Sequence, residues 1–424
     1  MKCKRLHDYT KYNLLKGETL MKRSRILVSA LAAMVVATAL VGCGKKETPQ
    51  NASETKGGKK IIVWSHLTDD EVAAVKPIAE EWAKSTGNTV DVLADKGDFN
   101  AFAQAANSSK AADVMFGLAH DNLGAFVKAG VVAEVPSGIV DSSKYNQNVV
   151  NAVTIGGKTY GVPLSQETLA LFYNPDKVAT APTTLDDLIA QGKKVGFKYE
   201  AKNLYYTYAF LSGFGGYIYK DNGGNIDPKD VGLGNEGAIK GYDVLSTFGK
   251  DLGMKSSVDS GIAGGEFKAG KIGMFISGPW DVEGFKKENV KFKVAPLPSI
   301  NGKPATPFLG VQAAFVNSKS KNQTEAWDLM KYLVAHSEQA LYDKGHRIPA
   351  LKDSKLLSDL SKGDLAAFIE QAKTAYPMPN IPEMGAAWKV NDSLPTLLDG
   401  KMDSKAFATK VVKDINDQLS QQAK

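Results

Sequence analysis

The sequence predicts an α/β fold in which mostly parallel sheets carry helices on both faces. Short β-branched runs alternate with amphipathic stretches from residue 61 onward, and this order implies parallel pairing. A shift in composition near Pro163, toward glycine, tyrosine and turn residues, predicts a second α/β unit, and the last third returns to helices. About 360 residues follow the N-terminal leader, which is ample for two domains.

Individual elements follow from the spacing of apolar residues and from glycines that end helices. The helix predicted over residues 69–86 has apolar residues on one face and stops at Gly87. Ligands of parallel sheets bind beyond the carboxyl ends of the strands, so residues 64–71 and 119–122 are predicted to border a site. The other predicted elements are strands at residues 61–64, 89–93 and 113–116, and helices at residues 99–106, 123–129, 324–336, 356–374 and 404–421.

The N-terminus has the layout of an exported, lipid-anchored precursor. A basic cluster at residues 22–25 precedes the almost wholly apolar residues 26–41, which is the order of a secretory signal peptide. That run is shorter than the about 20 apolar residues that a membrane span needs. It ends in the sequence LVGC, which resembles the lipobox of bacterial lipoproteins, whose cysteine (here Cys43) is lipidated and whose chain is cut just before it. We therefore expect a protein anchored by a lipid on the outer face of a Gram-positive cell membrane.

The precursor divides into three segments ahead of the folded part. Residues 1–20 are polar and fit no part of a signal peptide, so we expect an upstream extension that is not translated, with Met21 as the true start. Residues 21–42 are the predicted signal peptide, and residues 43–60 are a flexible tether with no large apolar residue after the cysteine. A peptide from the first segment in the unprocessed precursor would contradict this assignment.

Charge and cysteine content exclude several functions once the leader is removed. The chain carries 52 Lys+Arg and 46 Asp+Glu, and residues 1–42 hold eight of the basic and two of the acidic residues. The remainder is therefore balanced at 44 of each sign, which gives no electrostatic footprint for nucleic acid. Cys3 is removed and Cys43 is lipidated, so no thiol remains for a disulfide or for thiol chemistry.

Five stretches of the mature chain carry a resemblance to a known family: residues 62–64, 112–121, 161–174, 267–280 and 377–384. They are similar to the extracellular solute-binding proteins of bacterial ABC sugar importers, in the maltose/maltodextrin-binding branch. The last stretch, PMPNIPEM, is closely similar to a segment beside the sugar site of that branch and is the most specific of the five. The resemblance covers essentially the whole mature domain.

The resemblance implies a type II periplasmic-binding-protein fold, with two lobes joined by a hinge and the ligand between them. Lobe 1 would comprise residues 61–165 and 318–362, and lobe 2 residues 166–317 and 363–424. Ligand binding would close the cleft, and the transporter would recognise the closed form. It further implies a monomeric, non-enzymatic protein that captures maltose or maltodextrin-type oligosaccharides for the permease subunits, with no cofactor, no bound metal and no nucleic-acid partner.

A neutral oligosaccharide presents apolar ring faces and a rim of hydroxyls, which aromatic rings and planar polar side chains match. Carboxylates accept the strongest hydrogen bonds from such hydroxyls. By the resemblance, Trp280 and Trp388 are the main stacking platforms, and Asp121 and Glu167 are the main acceptors. The ligand-binding residues that the resemblance implies are Trp64, Asp69, Glu71, Asp121, Asn122, Glu167, Asn203, Tyr205, Tyr206, Trp280, Met378 and Trp388.

The residues themselves leave some of these roles open. Glu167 lies in an otherwise apolar segment, where an unpaired carboxylate would be costly to bury, and this favours a place in the cleft. Trp64 ends a predicted buried strand and suits the core as well as the site. Asp69 and Glu71 serve equally well as acidic residues at the start of a helix, where they favour its dipole.

Four positions depart from the enteric maltose-binding pattern and leave the exact sugar open. Leu118 and Lys389 stand where that pattern has a tryptophan and a tyrosine, and Asn122 and Asn203 stand where it has an arginine and a glutamate. Longer maltodextrins, another α-glucan fragment or a different solute therefore fit the sequence as well as maltose does.

Two other classes of function stay open. Asp121 and Glu167 with nearby aromatic residues also describe a glycoside hydrolase, whose two carboxyl groups lie within about 5–10 Å of each other. The adjacent tyrosines at residues 205–206 resemble those of ferric-ion-binding relatives, with His66 and His120 as candidate partners. The other ligands of such a metal site are not clustered in the sequence at a characteristic spacing.

Overall fold

The computed structural model describes residues 58–95, 97, 101–108, 110–223 and 225–422. The predicted extension, the signal peptide, Cys43 and most of the tether lie outside these residues. None of the helices in the described ranges has both the length and the apolar character that a membrane crossing needs. The helices are α1 Asp69–Thr86, α2 Ala101–Ala105, α3 Leu123–Lys128, α4 Gln147–Ala152, α5 Leu185–Val195, α6 Leu204–Ser212, α7 Glu236–Asp251, α8 Ser260–Lys268, α9 Trp280–Lys287, α10 Gln323–His336, α11 Glu338–Gly345, α12 Lys355–Leu360, α13 Ala366–Ala372, α14 Met384–Ala387, α15 Val390–Leu398 and α16 Ser404–Gln422. The strands are β1 Lys60–Ser65, β2 Thr89–Ala94, β3 Val114–Ala119, β4 Thr154–Ile155, β5 Lys158–Thr159, β6 Val162–Glu167, β7 Ala170–Tyr173, β8 Phe197–Lys198, β9 Tyr219–Asp221, β10 Ile226–Val231, β11 Met274–Ser277, β12 Lys293–Ala295, β13 Phe308–Val316, β14 Ile348–Pro349 and β15 Tyr376–Pro377.

The larger groups of strands form two mixed sheets. The first sheet has the order β14-β6-β13-β3-β1-β2, with β15 beside β13, and the second has the order β12-β7-β11-β8. Strands β1, β2 and β3 pair in parallel, as the alternation of strand and helix predicts. Strand β13 instead runs antiparallel to both β3 and β6, and β7 runs antiparallel to β11 and β12. The first sheet is mixed because the chain returns to it through β13 after it has built the second.

Helix α1 shows why the first elements follow from local sequence. The Thr68 side chain accepts from the Glu71 N–H at 3.4 Å, and the Glu71 carboxylate accepts from the Thr68 N–H at 2.9 Å. This capping box satisfies two backbone donors, and such caps contribute about 1 kcal/mol. At the other end Gly87 adopts a φ of 71°, a left-handed conformation that glycine reaches without steric penalty. Both ends confirm the helix predicted over residues 69–86.

Helices cover both faces of the first sheet. On one face α1, α10 and α11 pack around a buried cluster that includes Trp82 and Val114. On the other face Phe102 of α2 and Phe126 of α3 lie against Phe315 of β13, with ring centroids 5.1 Å and 5.8 Å away. With both faces covered, the ends of the strands are the part of this sheet that remains for a ligand.

The second sheet is also enclosed on both faces. Phe172 of β7 contacts Phe285 of α9, Phe267 of α8 and Phe368 of α13, with centroids 5.4 Å, 6.5 Å and 5.7 Å away. The other face is covered by α6, α7, α15 and α16, which form the largest buried cluster of the described residues. The two sheets therefore have separate cores.

The single helix predicted over residues 356–374 is wrong. The chain forms two short helices there, α12 and α13, with a turn at Gly363 between them. Leu360 and Leu365 flank this turn and both pack into the core of the second sheet. In a straight helix these two leucines would point about 140° apart, so the break lets both be buried on one side.

The chain crosses between the sheets at two places that border the site. Strand β6 ends at Glu167 in the first sheet, and β7 begins at Ala170 in the second. Strand β13 begins at Phe308 in the second sheet's core and ends beside β3. These crossings lie near the lobe boundaries expected at 165/166 and 317/318. Helix α12, by contrast, packs on the second sheet's core although it falls in the range expected for lobe 1.

Candidate functional site

Glu167 stands at the junction of the two sheets. Its side chain is 16% exposed, and its Oε2 accepts a hydrogen bond from Nη1 of Arg347 at 2.7 Å. Gly310, its partner on β13, allows the Glu167 side chain to pack this closely, since an added Cβ would lie 2.8 Å from Glu167 Cγ and 3.1 Å from Oε1. Arg347 therefore engages one carboxylate oxygen of a side chain that also lines the cavity described below.

Glu71 holds Arg347 from the opposite side. Nε of Arg347 donates to Glu71 Oε1 at 2.7 Å, and Nη2 donates to Oε2 at 3.2 Å. The Thr68 N–H and hydroxyl also donate to Oε2, both at 2.9 Å. Burial raises the pKa of Glu71, but the hydrogen bond and charge of Arg347, helped by Thr68, outweigh it and lower the pKa below its ordinary value. Glu71 is 0% exposed and supports Arg347 from within the protein, while its place as a ligand contact remains an expectation.

A cavity of about 150 Å3 opens beside this ion-pair network. Trp280, at the start of α9, is 39% exposed and lines the cavity with Pro279, and Gln166, Glu167 and Arg347 also line it. A large exposed aromatic ring beside a carboxylate is what a sugar-stacking platform needs. A larger cavity, about 530 Å3, opens at the amino-terminal ends of β1 and β3 and contains none of the predicted site residues.

A row of aromatic rings extends from Trp388 toward the second core. Trp388 lies against Phe308 with ring centroids 6.2 Å apart, and Phe308 lies nearly parallel to Tyr205 at 6.2 Å. Tyr205 then meets Tyr206 edge-on at 5.7 Å. The tyrosine pair and Trp388 are thus joined through Phe308, which the sequence did not single out.

The Tyr205 hydroxyl is buried and has no hydrogen-bond partner among the described residues. Burial raises the pKa of Tyr205 well above its ordinary value, and the nearby charges of Glu167 and Asp121 raise it further. Leaving a buried polar group unpaired costs about 1–3 kcal/mol. A ligand hydroxyl that reached this group would remove that cost, which favours a binding role for Tyr205.

Asp121 approaches the same aromatic row from the first sheet, just after β3. Burial raises its pKa from 3.8 to about 6, and the charge of Glu167 adds to the rise, while a hydrogen bond with the Trp388 side chain opposes it. The charge of Glu167 therefore reaches Asp121, whose pKa of about 6 lies in a range that a change of solution pH readily crosses.

Sugar affinity is expected to fall about tenfold between about pH 7.5 and pH 5, because a hydroxyl-accepting Asp121 must be ionised and its pKa is about 6. Unfolding does not explain such a loss, since an acid with a raised pKa in the folded state adds stability as the pH falls through 6. Calorimetric titration at several pH values measures the effect. Asp121→Asn should bind with little pH dependence, and a profile as steep as that of the wild type would rule out Asp121 as the cause.

His120 is buried, and both of its ring nitrogens form hydrogen bonds with the backbone, which leaves neither nitrogen for a metal ion. Its Nδ1 accepts from the Val311 N–H at 3.1 Å, so the proton resides on Nε2, which donates to the Met378 carbonyl at 3.0 Å. Burial lowers the pKa of His120 to about 4, so the ring is neutral. Across the part of the chain that the structure describes, no group of three or more His, Cys, Asp or Glu side chains is arranged to hold a metal ion.

The segment around Met378 is fixed by its backbone and by Asn380. The Asn380 amide donates to the carbonyls of Asn151, Ala152 and Thr154 at 3.0–3.1 Å. The Met378 side chain is only 6% exposed and packs in the second core. The segment is therefore fixed in place, and the apolar ligand contact expected of Met378 remains a prediction.

Four predicted contacts take more local roles. Asn203 caps α6 by accepting from the Tyr205 N–H at 3.0 Å, and Asn122 donates to the Ala119 carbonyl at 3.0 Å. Asp69 is exposed at the start of α1, and Trp64 is half-buried against the core beneath α2 and α3. Their places as ligand contacts remain expectations.

Arg347 is the functional residue that sequence reasoning missed. It follows α11 in a turn where His346 has a φ of 50°, and no local pattern marks that turn as part of the site. One signal was available: Arg347 is the only arginine in the chain after Arg25. Beyond Arg25 the chain has lysine at every other Lys or Arg position, and its single guanidinium lies at the junction of the sheets.

Comparison with known proteins defines the class. A model of the family described as bacterial extracellular solute-binding protein matches residues 65–340. A galactooligosaccharide-binding protein of Bacillus subtilis is 31% identical over 87% of this chain and 91% of its own length. A maltooligosaccharide ABC transporter solute-binding lipoprotein of Streptococcus pneumoniae is 30% identical over 95% of this chain and 98% of its own. The solved maltose-maltodextrin binding protein of Alicyclobacillus acidocaldarius has 39% identity and a TM-score of 0.77, covering 84% of this chain and 100% of that one.

The chain therefore belongs to the bacterial extracellular solute-binding proteins. Its two sheets with separate cores form the two lobes of the type II periplasmic-binding-protein fold, as the resemblance implied.

Proposed function

We propose that the chain is the substrate-binding component of an ABC importer and that it captures maltodextrin-type oligosaccharides. The exposed ring of Trp280 beside Glu167 and Arg347, at the junction of the lobes, carries this proposal. A pyranose ring offers its apolar face to the indole and its hydroxyls to the carboxylate. The relatives from S. pneumoniae and A. acidocaldarius, named for maltooligosaccharide and maltose-maltodextrin binding, support the same ligand class.

Delivery follows from closure of the cleft. Trp280 and the tyrosine pair belong to the second lobe, Asp121 follows a strand of the first, and Glu167 lies between them. A sugar that contacts both sets favours the closed arrangement by the difference in its contacts with the open and closed states. The permease subunits then recognise the closed form, and the protein acts as a monomer without catalysis or a cofactor.

A different oligosaccharide is the second candidate, because the B. subtilis relative is named for galactooligosaccharides. Two departures from the enteric pattern bear on this choice. Leu118 is 1% exposed and offers no stacking surface, and the Asn203 amide oxygen is engaged in capping α6. The cleft thus lacks two contacts that the enteric pattern would supply.

Calorimetry with a panel of sugars tests the ligand class. Because residues 56–424 form one compact unit, the chain from residue 44 is the form to use. We expect binding of maltose, maltotriose and a longer maltodextrin, and no binding of glucose, lactose or a β-galactotriose. Binding confined to the galactosides would replace the proposed ligand. Steady release of reducing ends from bound maltodextrin would instead support the glycoside hydrolase that the raised pKa of Asp121 permits.

We also propose that the protein is exported and held on the membrane by a diacylated Cys43, with the residues between Cys43 and β1 as the tether. The lipobox-like sequence and the name of the S. pneumoniae relative support this. Cells fed labelled palmitate should incorporate label into the wild-type chain, and Cys43→Ala should lose the label and appear in the medium. Label retained in the variant would place the lipid elsewhere.

A further inference from the structure

The Glu71–Arg347–Glu167 network joins three separate parts of the first lobe. Glu71 belongs to the first turn of α1, Arg347 to the turn after α11, and Glu167 to the end of β6. Three guanidinium nitrogens of Arg347 donate at 2.7 Å, 3.2 Å and 2.7 Å, to both oxygens of one carboxylate and one oxygen of the other. A planar guanidinium binds one carboxylate through two N–H groups and the other through a third at fixed angles. An ammonium also has three N–H groups, but they do not lie in a fixed plane and cannot make the bidentate pairing.

The network is buried enough for its geometry to be fixed. The side chains of Arg347 and Glu167 are 18% and 16% exposed, and that of Glu71 is fully buried. Burial lowers the pKa of Arg347, but the charges of the two glutamates more than reverse this and raise it above its ordinary value, so the guanidinium stays charged. Gly345 also supports the arrangement, because a Cβ there would lie 1.9 Å from Glu71 Oε1.

The geometry points to Arg347 as a positioning residue for the sugar site, with Glu71 as its anchor. Arg347 holds Oε2 of Glu167, which lines the site cavity, so that Oε1 is the oxygen that accepts a ligand hydroxyl. Glu71 acts on the ligand through this relay, because it fixes the guanidinium that holds Glu167. This inference rests on the proposed role of Glu167 in sugar binding and adds the device that orients its carboxylate.

Because Arg347 is the only arginine of the mature chain, its side-chain Nε–H should give a single resonance in a nitrogen–proton correlation spectrum. In the ligand-free protein this proton is bonded to the buried Glu71, so we expect one slowly exchanging signal at neutral pH. Glu71→Gln should broaden or shift it strongly, and Glu167→Gln should shift it less. A rapidly exchanging signal that neither variant changes would overturn the inference, whatever the protein binds.

A double-mutant cycle on maltotriose affinity separates positioning from general support. If Glu71 acts through Glu167, Glu71→Gln should weaken binding about tenfold in the wild type and less than about twofold in the Glu167→Gln background. Independent structural damage would give the same fold-change in both backgrounds and would overturn the relay. Arg347→Lys keeps the positive charge but not the planar guanidinium, and it should weaken maltotriose binding about as much as Glu71→Gln does. An affinity equal to that of the wild type would show that the planar guanidinium is not needed.

Failure of the proposed function gives a different pattern. A wild-type protein that binds no glucan leaves the resonance test intact, because that test needs no sugar. Additive effects in a protein that does bind maltotriose would overturn the relay and leave the ligand class standing.

Discussion

Replacing Trp280 with alanine is expected to weaken maltodextrin binding by about 2–3 kcal/mol, or about 30- to 150-fold. The indole is 39% exposed at the site cavity, so it supplies a broad apolar face that alanine does not replace. The loss should appear in the affinity and not in the fold, because the ring is not part of either buried core. Calorimetric titration with maltotriose, together with the melting temperature of each protein, measures both.

Ile262→Ala is the matched control. Ile262 is 44% exposed on α8 of the same lobe and does not line the site cavity. Its removal should leave the affinity within about twofold of the wild type. If the two variants lose affinity equally, or if Trp280→Ala binds normally, then Trp280 is not the stacking platform and the cavity beside Arg347 is not the principal sugar site.

The parts of the fold that local sequence could predict are those with local causes. Helix α1 has a capping box at one end and a left-handed glycine at the other, so residues close in the sequence determine where it begins and ends. The antiparallel insertion of β13 between β3 and β6 has no such cause, because it depends on how the chain returns from the second lobe. The break between α12 and α13 likewise comes from the core against which two leucines pack.

The candidate site likewise has parts that the sequence could predict and parts that depend on the tertiary structure. Family resemblance selected Trp280, Tyr205, Asp121 and Glu167, and the structure gathers them around one junction. Sequence reasoning left Glu71 between a helix-terminal role and a ligand contact. The structure shows the helix-terminal role, because Glu71 caps α1 and also holds an arginine 276 positions away, and the ligand contact stays a prediction.

Gly345→Ala is expected to lower the free energy of unfolding by about 2–4 kcal/mol, from overpacking and from disturbance of a buried ion pair. The new Cβ would lie 1.9 Å from Glu71 Oε1 and 2.4 Å from Cδ. Glu71 cannot simply move aside, because Thr68 and Arg347 hold both its oxygens and its side chain is fully buried. Either the end of α11 shifts or the Glu71–Arg347 bonds break, and both changes release Glu167.

Gly265→Ala separates this clash from the general effect of a methyl group in a helix. Gly265 lies inside α8, and an added Cβ there has nothing within 4 Å, so alanine should stabilise the protein by about 0.5–1 kcal/mol. The melting temperature should therefore fall in one variant and rise in the other, and only Gly345→Ala should also weaken sugar binding. Gly345→Ala could instead be as stable as the wild type and bind sugar more weakly. The backbone at the end of α11 would then shift with little loss of folding free energy, and Gly345 would serve the placement of Arg347 rather than the stability of the fold.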